Sequence, residues 1–115
     1  MRIIYHLAPA ERWQRWADGA GYLPAEYDAD GFVHCTAGEE LMLQVANRYY
    51  RSIPGDFVVL AIDPARLSSP LRWERPADDL APHFPHVYGP IDRAAIVSVH
   101  PAHRSADGTF RGWAP

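Results

Sequence analysis

The sequence contains no lysine and a single cysteine. All eleven of its basic residues are arginines, which excludes a Schiff-base lysine, a lysine general base and a Walker-type phosphate lysine. Cys35 alone forms neither an intramolecular disulfide nor a CxxC zinc site, and this sparse usage is typical of a reducing cytoplasm. The arginines remain available for phosphate or carboxylate contacts.

The chain also lacks an excess of positive charge and any long apolar run. Its formal net charge is −3, which argues against a nucleic-acid partner. The first residues are too few and too polar for a signal peptide, and no stretch is long enough for a transmembrane helix. We therefore expect a cytoplasmic protein without membrane contact. The 115 residues, 48% of them hydrophobic, predict one domain spanning 1–115.

The spacing of apolar residues predicts an α+β fold whose two helices lie in the N-terminal half. The first helix is expected over 11–17, with Pro9 in its first turn. Thr36 and Glu39 form a capping-box pattern, which predicts a second helix that ends near Ser52. The buried stripe of this helix is expected to comprise Leu41, Met42, Val45, Ala46 and Tyr49.

Alternating or continuous apolar segments predict the strands at 2–6, 31–35, 56–62, 71–74 and 94–100. The apolar run 56–62 is typical of a central strand, and Asp63 is placed to cap one helical turn after it. We expect loops over 22–30 and over 75–90, which contains four prolines, and a loosely held tail after Pro101.

Two histidines, His6 and His34, are each expected at a strand-to-helix junction. If their strands are neighbours, both side chains open into one crevice at the strand ends. The helix start at Thr36 would offer free backbone N–H groups to an anion, and His34 beside it could act as an acid or a base. The alternative is that these imidazoles pack and hydrogen-bond to backbone.

The proline-rich segment 82–90 and the strand before it supply three further candidates. In an extended backbone His86 and Tyr88 point the same way, so they could line a pocket in which Tyr88 stacks on a planar ligand. Glu74, at the end of its strand, could bind ribose hydroxyls or act as a base. The alternatives are aromatic side chains that seal the edge of the core and a solvated Glu74 paired with Arg72.

Metal and thiol chemistry have weaker support in the sequence. His83 and His86, near Asp78 and Asp79, have a ligand-like spacing, and His100 and His103 repeat it. Neither pair has a third and fourth ligand at a diagnostic spacing, so we predict no metal site. Cys35 is either a buried structural cysteine or a nucleophile that His6 or His86 activates.

Five motifs together resemble a small bacterial family known as domain of unknown function 952. They are Tyr5-His6, Asp30–Thr36, Val59–Pro64, Leu71–Glu74 and Phe84–Pro90. The resemblance covers the chain from about 3 to 99 and implies an ADP-ribosyltransferase-like fold with a split, mainly antiparallel β-sheet. A more distant similarity, over about 3–74, is to the RNA 2′-phosphotransferases, which use NAD.

This resemblance implies a small nucleotide-like ligand, with NAD as cosubstrate, and catalytic roles for His6, His34 and Glu74. His6 would hold the ribose, Glu74 would orient the nucleophile or a ribose hydroxyl, and Tyr88 would stack on nicotinamide. His34, Thr36 and His86 would also contact the ligand, Thr36 through its phosphate.

The sequence departs from the phosphotransferase pattern at two places. Residues 8–11 lack the arginine that follows the first histidine, and no segment of these 115 residues matches the N-terminal RNA-binding helical domain. One alternative is therefore a non-catalytic module on the same fold that binds a small ligand or a protein. Another is a cysteine or metal enzyme.

Overall fold

The computed structural model describes residues 2–16, 19, 21–75 and 83–115. Three α-helices lie within them, all before residue 50: α1 (Ala10–Trp16), α2 (Tyr27–Asp30) and α3 (Glu39–Tyr49). The strands are β1 (Ile4–Pro9), β2 (Gly21–Tyr22), β3 (Val33–His34), β4 (Thr36–Ala37), β5 (Phe57–Ile62), β6 (Leu71–Glu74), β7 (Phe84–Val87), β8 (Ile91–Asp92), β9 (Ile96–Arg104) and β10 (Phe110–Trp113). Short 3₁₀ turns span Pro64–Arg66 and Arg93–Ala95.

The strands form separate sheets, and every pairing among the described residues is antiparallel. The larger sheet has the order β10-β9-β5-β1-β4, a second has the order β3-β7-β6, and β2 pairs with β8. The chain passes from the second sheet to the first within one residue, Cys35, whose N–H donates to the carbonyl of Pro85 at 3.1 Å. The predicted α+β class is confirmed, with one short helix, α2, more than predicted.

The central position of β5 follows from its composition. Its six residues are all apolar, and five of them are buried between β1 and β9. A strand covered on both faces has no solvent-facing positions, so its sequence is a continuous apolar run rather than an alternation. The predicted turn after it is also confirmed, because the Asp63 carboxylate accepts a hydrogen bond from the N–H of Ala65 at 3.0 Å.

The predicted start of the second helix is wrong. Thr36 lies in β4 opposite Tyr5, and the N-cap of α3 is Gly38, whose φ of 98° suits glycine. Pairing with β1 therefore overrides the local capping pattern.

The face that α3 buries also differs from the predicted stripe. Met42 and Ala46 are its buried residues, Leu41 and Val45 are half-buried, and Tyr49 is 55% exposed. The helix is thus rotated so that the Met42 side of the stripe faces the sheet.

Three other predicted boundaries are also wrong. β1 continues to Pro9, which lies opposite Phe57 in the sheet rather than in the first turn of α1. The predicted loop 22–30 contains α2 and the last residue of β2, and the predicted loop 75–90 contains β7. Residue 17, at the end of the predicted first helix, and residues 76–82 of the predicted loop, among them Asp78 and Asp79, lie outside the described residues.

The tail after Pro101 is part of the larger sheet rather than loosely held. β9 runs through Pro101 to Arg104, and β10 pairs with it. Phe110 is 2% exposed and packs in a core with Leu7, Met42 and Phe57. Asn47 fixes its backbone on both sides, because its amide donates to the Phe110 carbonyl at 3.0 Å and its oxygen accepts the Phe110 N–H at 2.7 Å.

None of the helices among the described residues is long and apolar enough to span a membrane. The longest of the three, α3, has eleven residues.

Because Phe110 anchors the tail, truncating its side chain should destabilise the protein strongly. We expect Phe110→Ala to lower the free energy of unfolding by about 3–5 kcal/mol, the usual cost of removing a buried phenyl ring. Urea denaturation followed by circular dichroism measures this. The control is Val97→Ala on β9, where the side chain is 44% exposed and the cost should be small. Equal effects of the two substitutions would show that the tail is not part of the core.

Candidate functional site

A cavity of about 740 Å³ opens between the β3-β7-β6 sheet and α3. Its lining combines aromatic rings with carboxylates and imidazoles. The residues that matter for chemistry are Asp30, Phe32, His34, Glu74, His86 and Tyr88.

Strand register brings these side chains to one face of the sheet. In β7, His86 lies opposite His34 of β3 and opposite Arg72 of β6, and residues directly opposite in antiparallel strands share a face. Tyr88 follows His86 by two residues and Glu74 follows Arg72 by two, so both lie on that same face. The predicted common orientation of His86 and Tyr88 is confirmed.

The carboxylate of Glu74 joins β6 to β7. Its Oε1 accepts hydrogen bonds from the hydroxyl of Tyr88 at 2.6 Å and from Nδ1 of His86 at 2.8 Å. The Tyr88 hydrogen bond, followed by that of His86, lowers the pKa of Glu74. The same carboxylate raises the pKa of Tyr88. These two hydrogen bonds favour the ionised form of Glu74, whose side chain stays 36% exposed at the cavity.

His86 is nearly buried, at 7% exposure. Burial lowers its pKa, and the hydrogen bond to Glu74 opposes this shift. The ring of Phe32 stacks on the imidazole, with the centroids 4.1 Å apart and the planes 24° from parallel. Because a carboxylate only accepts hydrogen bonds, the contact with Glu74 places the His86 proton on Nδ1.

His34 is held by a second carboxylate. Its Nε2 lies 3.0 Å from the Asp30 carboxylate, and its side chain is about half exposed. The short helix α2 places Asp30 four residues before His34, and Gly31 ends that helix with a φ of 80°, which favours glycine. The imidazoles of His34 and His86 meet edge to face, with their centroids 5.3 Å apart. The cavity therefore presents two histidine–carboxylate pairs side by side.

His6 does not open into this cavity, so the expectation of a crevice shared with His34 is wrong. The strand β1 continues three residues beyond it, and His6 is only 2% exposed. Its Nδ1 donates to the backbone carbonyl of His34 at 2.6 Å, and burial lowers its pKa. Its Nε2 and the hydroxyl of Tyr22 are the buried side-chain atoms that lack a hydrogen-bond partner among the described residues.

Thr36 and Cys35 lie on the lining but are almost completely buried, at 3% and 2% exposure. Thr36 is not at a helix N-terminus, and the first turn of α3 carries Glu39 and Glu40, which oppose an anion there. Burial also raises the pKa of the Cys35 thiol, which disfavours the thiolate needed by a nucleophile.

The histidines considered as metal ligands have different environments and different hydrogen-bond partners. His83 is exposed and His86 is bound to Glu74, whereas His100 contacts Ser98 and the Ala114 carbonyl, each at 2.7 Å. The part of the chain that the structure describes holds no group of three or more histidine, cysteine, aspartate or glutamate residues that could bind a metal ion.

Two important residues received no role from the sequence. Asp30 pairs with His34 at an i, i+4 spacing, a signal that is visible only if a short helix is expected before β3. Phe32 precedes His34 by two residues and its ring lies 4.5 Å from that imidazole, but its stacking on His86 depends on β3 pairing with β7.

Comparison with known proteins identifies a family and a fold. The family described as "Protein of unknown function (DUF952)" matches residues 7–99. The crystal structure of protein CC0527 from Caulobacter crescentus is similar, with a TM-score of 0.79 and 25% identity over 95% of this chain and 93% of that one. A double mutant of CC0527 matches equally well, at 24% identity. No curated protein matches.

The burial of Cys35 gives a prediction about thiol labelling. We expect no modification by iodoacetamide at pH 7.5 in the folded protein within an hour, because the thiol is inaccessible and its pKa is raised. Mass spectrometry measures the adduct, and protein unfolded in guanidinium chloride is the control that should be labelled fully. Rapid labelling of the folded protein would revive the cysteine-enzyme alternative.

The buried His6 gives a prediction about stability and pH. Its pKa is below the usual 6.5 in the folded state, so below that pH the unfolded chain binds more protons and the free energy of unfolding falls. We expect a decrease from pH 7 to pH 5 that is shallower in His6→Asn, which keeps a donor near the Nδ1 position but does not titrate. His86 contributes in the same direction and keeps part of the slope.

Urea denaturation at several pH values measures this slope. The control is Val97→Ala, because this side chain is exposed and does not titrate, so the slope should be unchanged. An equal slope in wild type and His6→Asn would contradict the account of His6.

Proposed function

Because the chain belongs to the DUF952 family, whose description assigns no activity, we propose its function from the cavity. We propose that it binds a nucleotide-like ligand there, that NAD is this ligand, and that it transfers ADP-ribose from NAD to an acceptor. The observation that carries the proposal is the Glu74 carboxylate, held by His86 and Tyr88 at the cavity. The division of the strands into two main sheets supports the ADP-ribosyltransferase-like fold that the sequence resemblance implies.

The size and the rings of the cavity suit such a ligand. A volume of about 740 Å³ falls within the usual range for small-molecule sites. Phe32, Tyr49 and Tyr88 on the lining offer surfaces on which a planar base can stack. A carboxylate such as Glu74 is the group that typically accepts hydrogen bonds from ribose hydroxyls.

The charges on the lining favour one end of NAD. Three carboxylates, those of Glu26, Asp30 and Glu74, line the cavity. They attract the positively charged nicotinamide ring and its ribose hydroxyls, and they disfavour a diphosphate. Arg75, also on the lining, is the side chain suited to the diphosphate. We therefore assign the nicotinamide ribose to the side of the cavity that contains Glu74.

When bound, NAD supplies a glycosidic bond between nicotinamide and ribose. In the transfer an acceptor oxygen takes the place of nicotinamide on the ribose, nicotinamide leaves with the electrons of the broken bond, and the acceptor loses a proton. Glu74 binds the ribose hydroxyls, and its negative charge stabilises the positive charge that develops on the sugar. Tyr88 keeps Glu74 in place and offers its ring to the ligand. Phe32 covers one face of His86 and so excludes water from it.

His6 receives a different role from the one the resemblance implies. Because it is buried, it acts on the site through the carbonyl of His34, which it holds at 2.6 Å. We therefore propose that His6 is a positioning residue and that His34, on the lining, is the histidine that contacts the ligand.

A second candidate function is a binding module without turnover. The three lining carboxylates favour it, because they suit a cationic or hydroxylated ligand that has no diphosphate. Such a module would be stabilised by its ligand without releasing nicotinamide, whereas the transferase would release it.

Isothermal titration calorimetry with NAD and with ADP-ribose tests binding. We expect NAD to bind, and Glu74→Gln to weaken it by roughly 10- to 100-fold, the loss typical of removing hydrogen bonds to a charged group. The matched control is Glu11→Gln on α1, whose side chain is 86% exposed and which should bind as wild type does. No heat with NAD at millimolar concentration would contradict the proposal. Binding without nicotinamide release would select the binding module.

A further inference from the structure

We propose that His86 is the proton acceptor of the cavity, with its Nδ1–H fixed by Glu74 and its Nε2 lone pair directed at the hydroxyl of the molecule that receives ADP-ribose. This inference rests on the proposed function, and it assigns to His86 the role of base for which the sequence analysis considered Glu74. Three observations on the β3-β7-β6 sheet carry it: the direction of one hydrogen bond, the occupancy of Glu74 and the groups that face the imidazole.

The first observation is the direction of the His86–Glu74 hydrogen bond. Nδ1 and Oε1 are 2.8 Å apart, and an ionised carboxylate has no proton to give, so Nδ1 donates. In the neutral imidazole Nε2 is then an acceptor. Nε2 makes no hydrogen bond to any described residue, and it is not one of the buried unpartnered atoms of the described chain. His86 itself lies on the cavity lining.

The second observation is that Glu74 is a poor base. Its Oε1 already accepts two hydrogen bonds, from Tyr88 and His86, and both stabilise the ionised form. A carboxylate held in that form takes up a proton less readily than a neutral imidazole does. His86 is therefore the group that accepts the proton near neutral pH. Glu74 orients the imidazole and stabilises its charged form, as the ionised aspartate of a catalytic triad does.

The third observation is the set of groups that face His86. From β3, His34 meets its edge, and Asp30 holds His34 in turn. Glu74 of β6 lies at Nδ1, Tyr88 shares that carboxylate, and the Arg72 guanidinium lies over the Tyr88 ring at 5.2 Å. Burial and the neighbouring His34 both disfavour a charge on His86, which keeps Nε2 free to accept a proton.

In the proposed step, the acceptor O–H gives its proton to Nε2 as its oxygen forms a bond to the ribose C1. The C–N bond breaks, and nicotinamide leaves as a neutral molecule with the bonding electrons. His86 becomes an imidazolium whose charge Glu74 balances, and it later returns the proton to solvent. The step needs no oxidant, reductant or second proton donor.

The protonation of His86 can be measured without any ligand. We expect ¹⁵N NMR of histidine-labelled protein to show Nδ1 protonated and Nε2 unprotonated at pH 7.5, with the pKa of His86 below its usual value. In Glu74→Gln the pKa should fall further, because the favourable carboxylate is lost, whereas Glu11→Gln should behave as wild type. A proton on Nε2, or an unchanged pKa in Glu74→Gln, would overturn the inference.

The role in turnover has a separate test. We expect His86→Asn and His86→Gln to lower the kcat for nicotinamide release by roughly 10²- to 10⁴-fold, the usual contribution of a general base, with KM little changed. The acid limb of the wild-type pH profile should disappear. If turnover survives both substitutions, the inference is wrong and the proposed function stands. If the wild type releases no nicotinamide, the proposed transfer is wrong, and so is the catalytic role of His86. The NMR titration then describes only the protonation state of the His86 imidazole.

Discussion

The hydrogen bond from His6 to the carbonyl of His34 is the contact on which the geometry of the site depends. It joins β1, in the larger sheet, to β3, in the smaller one, immediately before the chain crosses between them. Because His6 is buried, an unpaired Nδ1–H would be costly, so the bond ties the backbone of His34 to β1. That backbone in turn sets where His34 meets His86 and where Asp30 meets His34.

The β3-β7-β6 sheet carries the ionisable side chains of the candidate site. Its short strands place two imidazoles next to each other and give each a carboxylate, Asp30 for His34 and Glu74 for His86. The two pairs differ in burial, because the His34 side chain is about half exposed and that of His86 is almost enclosed. This difference in burial is the basis of the proposed roles, in which His86 transfers a proton and His34 contacts the ligand.

Features that follow from short-range patterns could be predicted from the sequence. The central strand β5 is a continuous apolar run, and His86 and Tyr88 share a face because strands have a period of two. The sequence could not reveal β7, because the proline within it is typical of a loop. It also could not reveal where α3 begins, because Thr36 belongs to β4, which pairs with β1. It misplaced His6 because nothing local shows that β1 continues to Pro9.

The most direct test of the central claim maps the ligand on the protein. Amide chemical shifts of ¹⁵N-labelled protein would be recorded while NAD is added. We predict concentration-dependent shifts confined to the segments that line the cavity, residues 26–36, 45–53, 72–75 and 84–88, which Glu74→Gln suppresses and Glu11→Gln leaves unchanged. Shifts centred instead on β9 and β10, or no shifts at millimolar NAD, would contradict it.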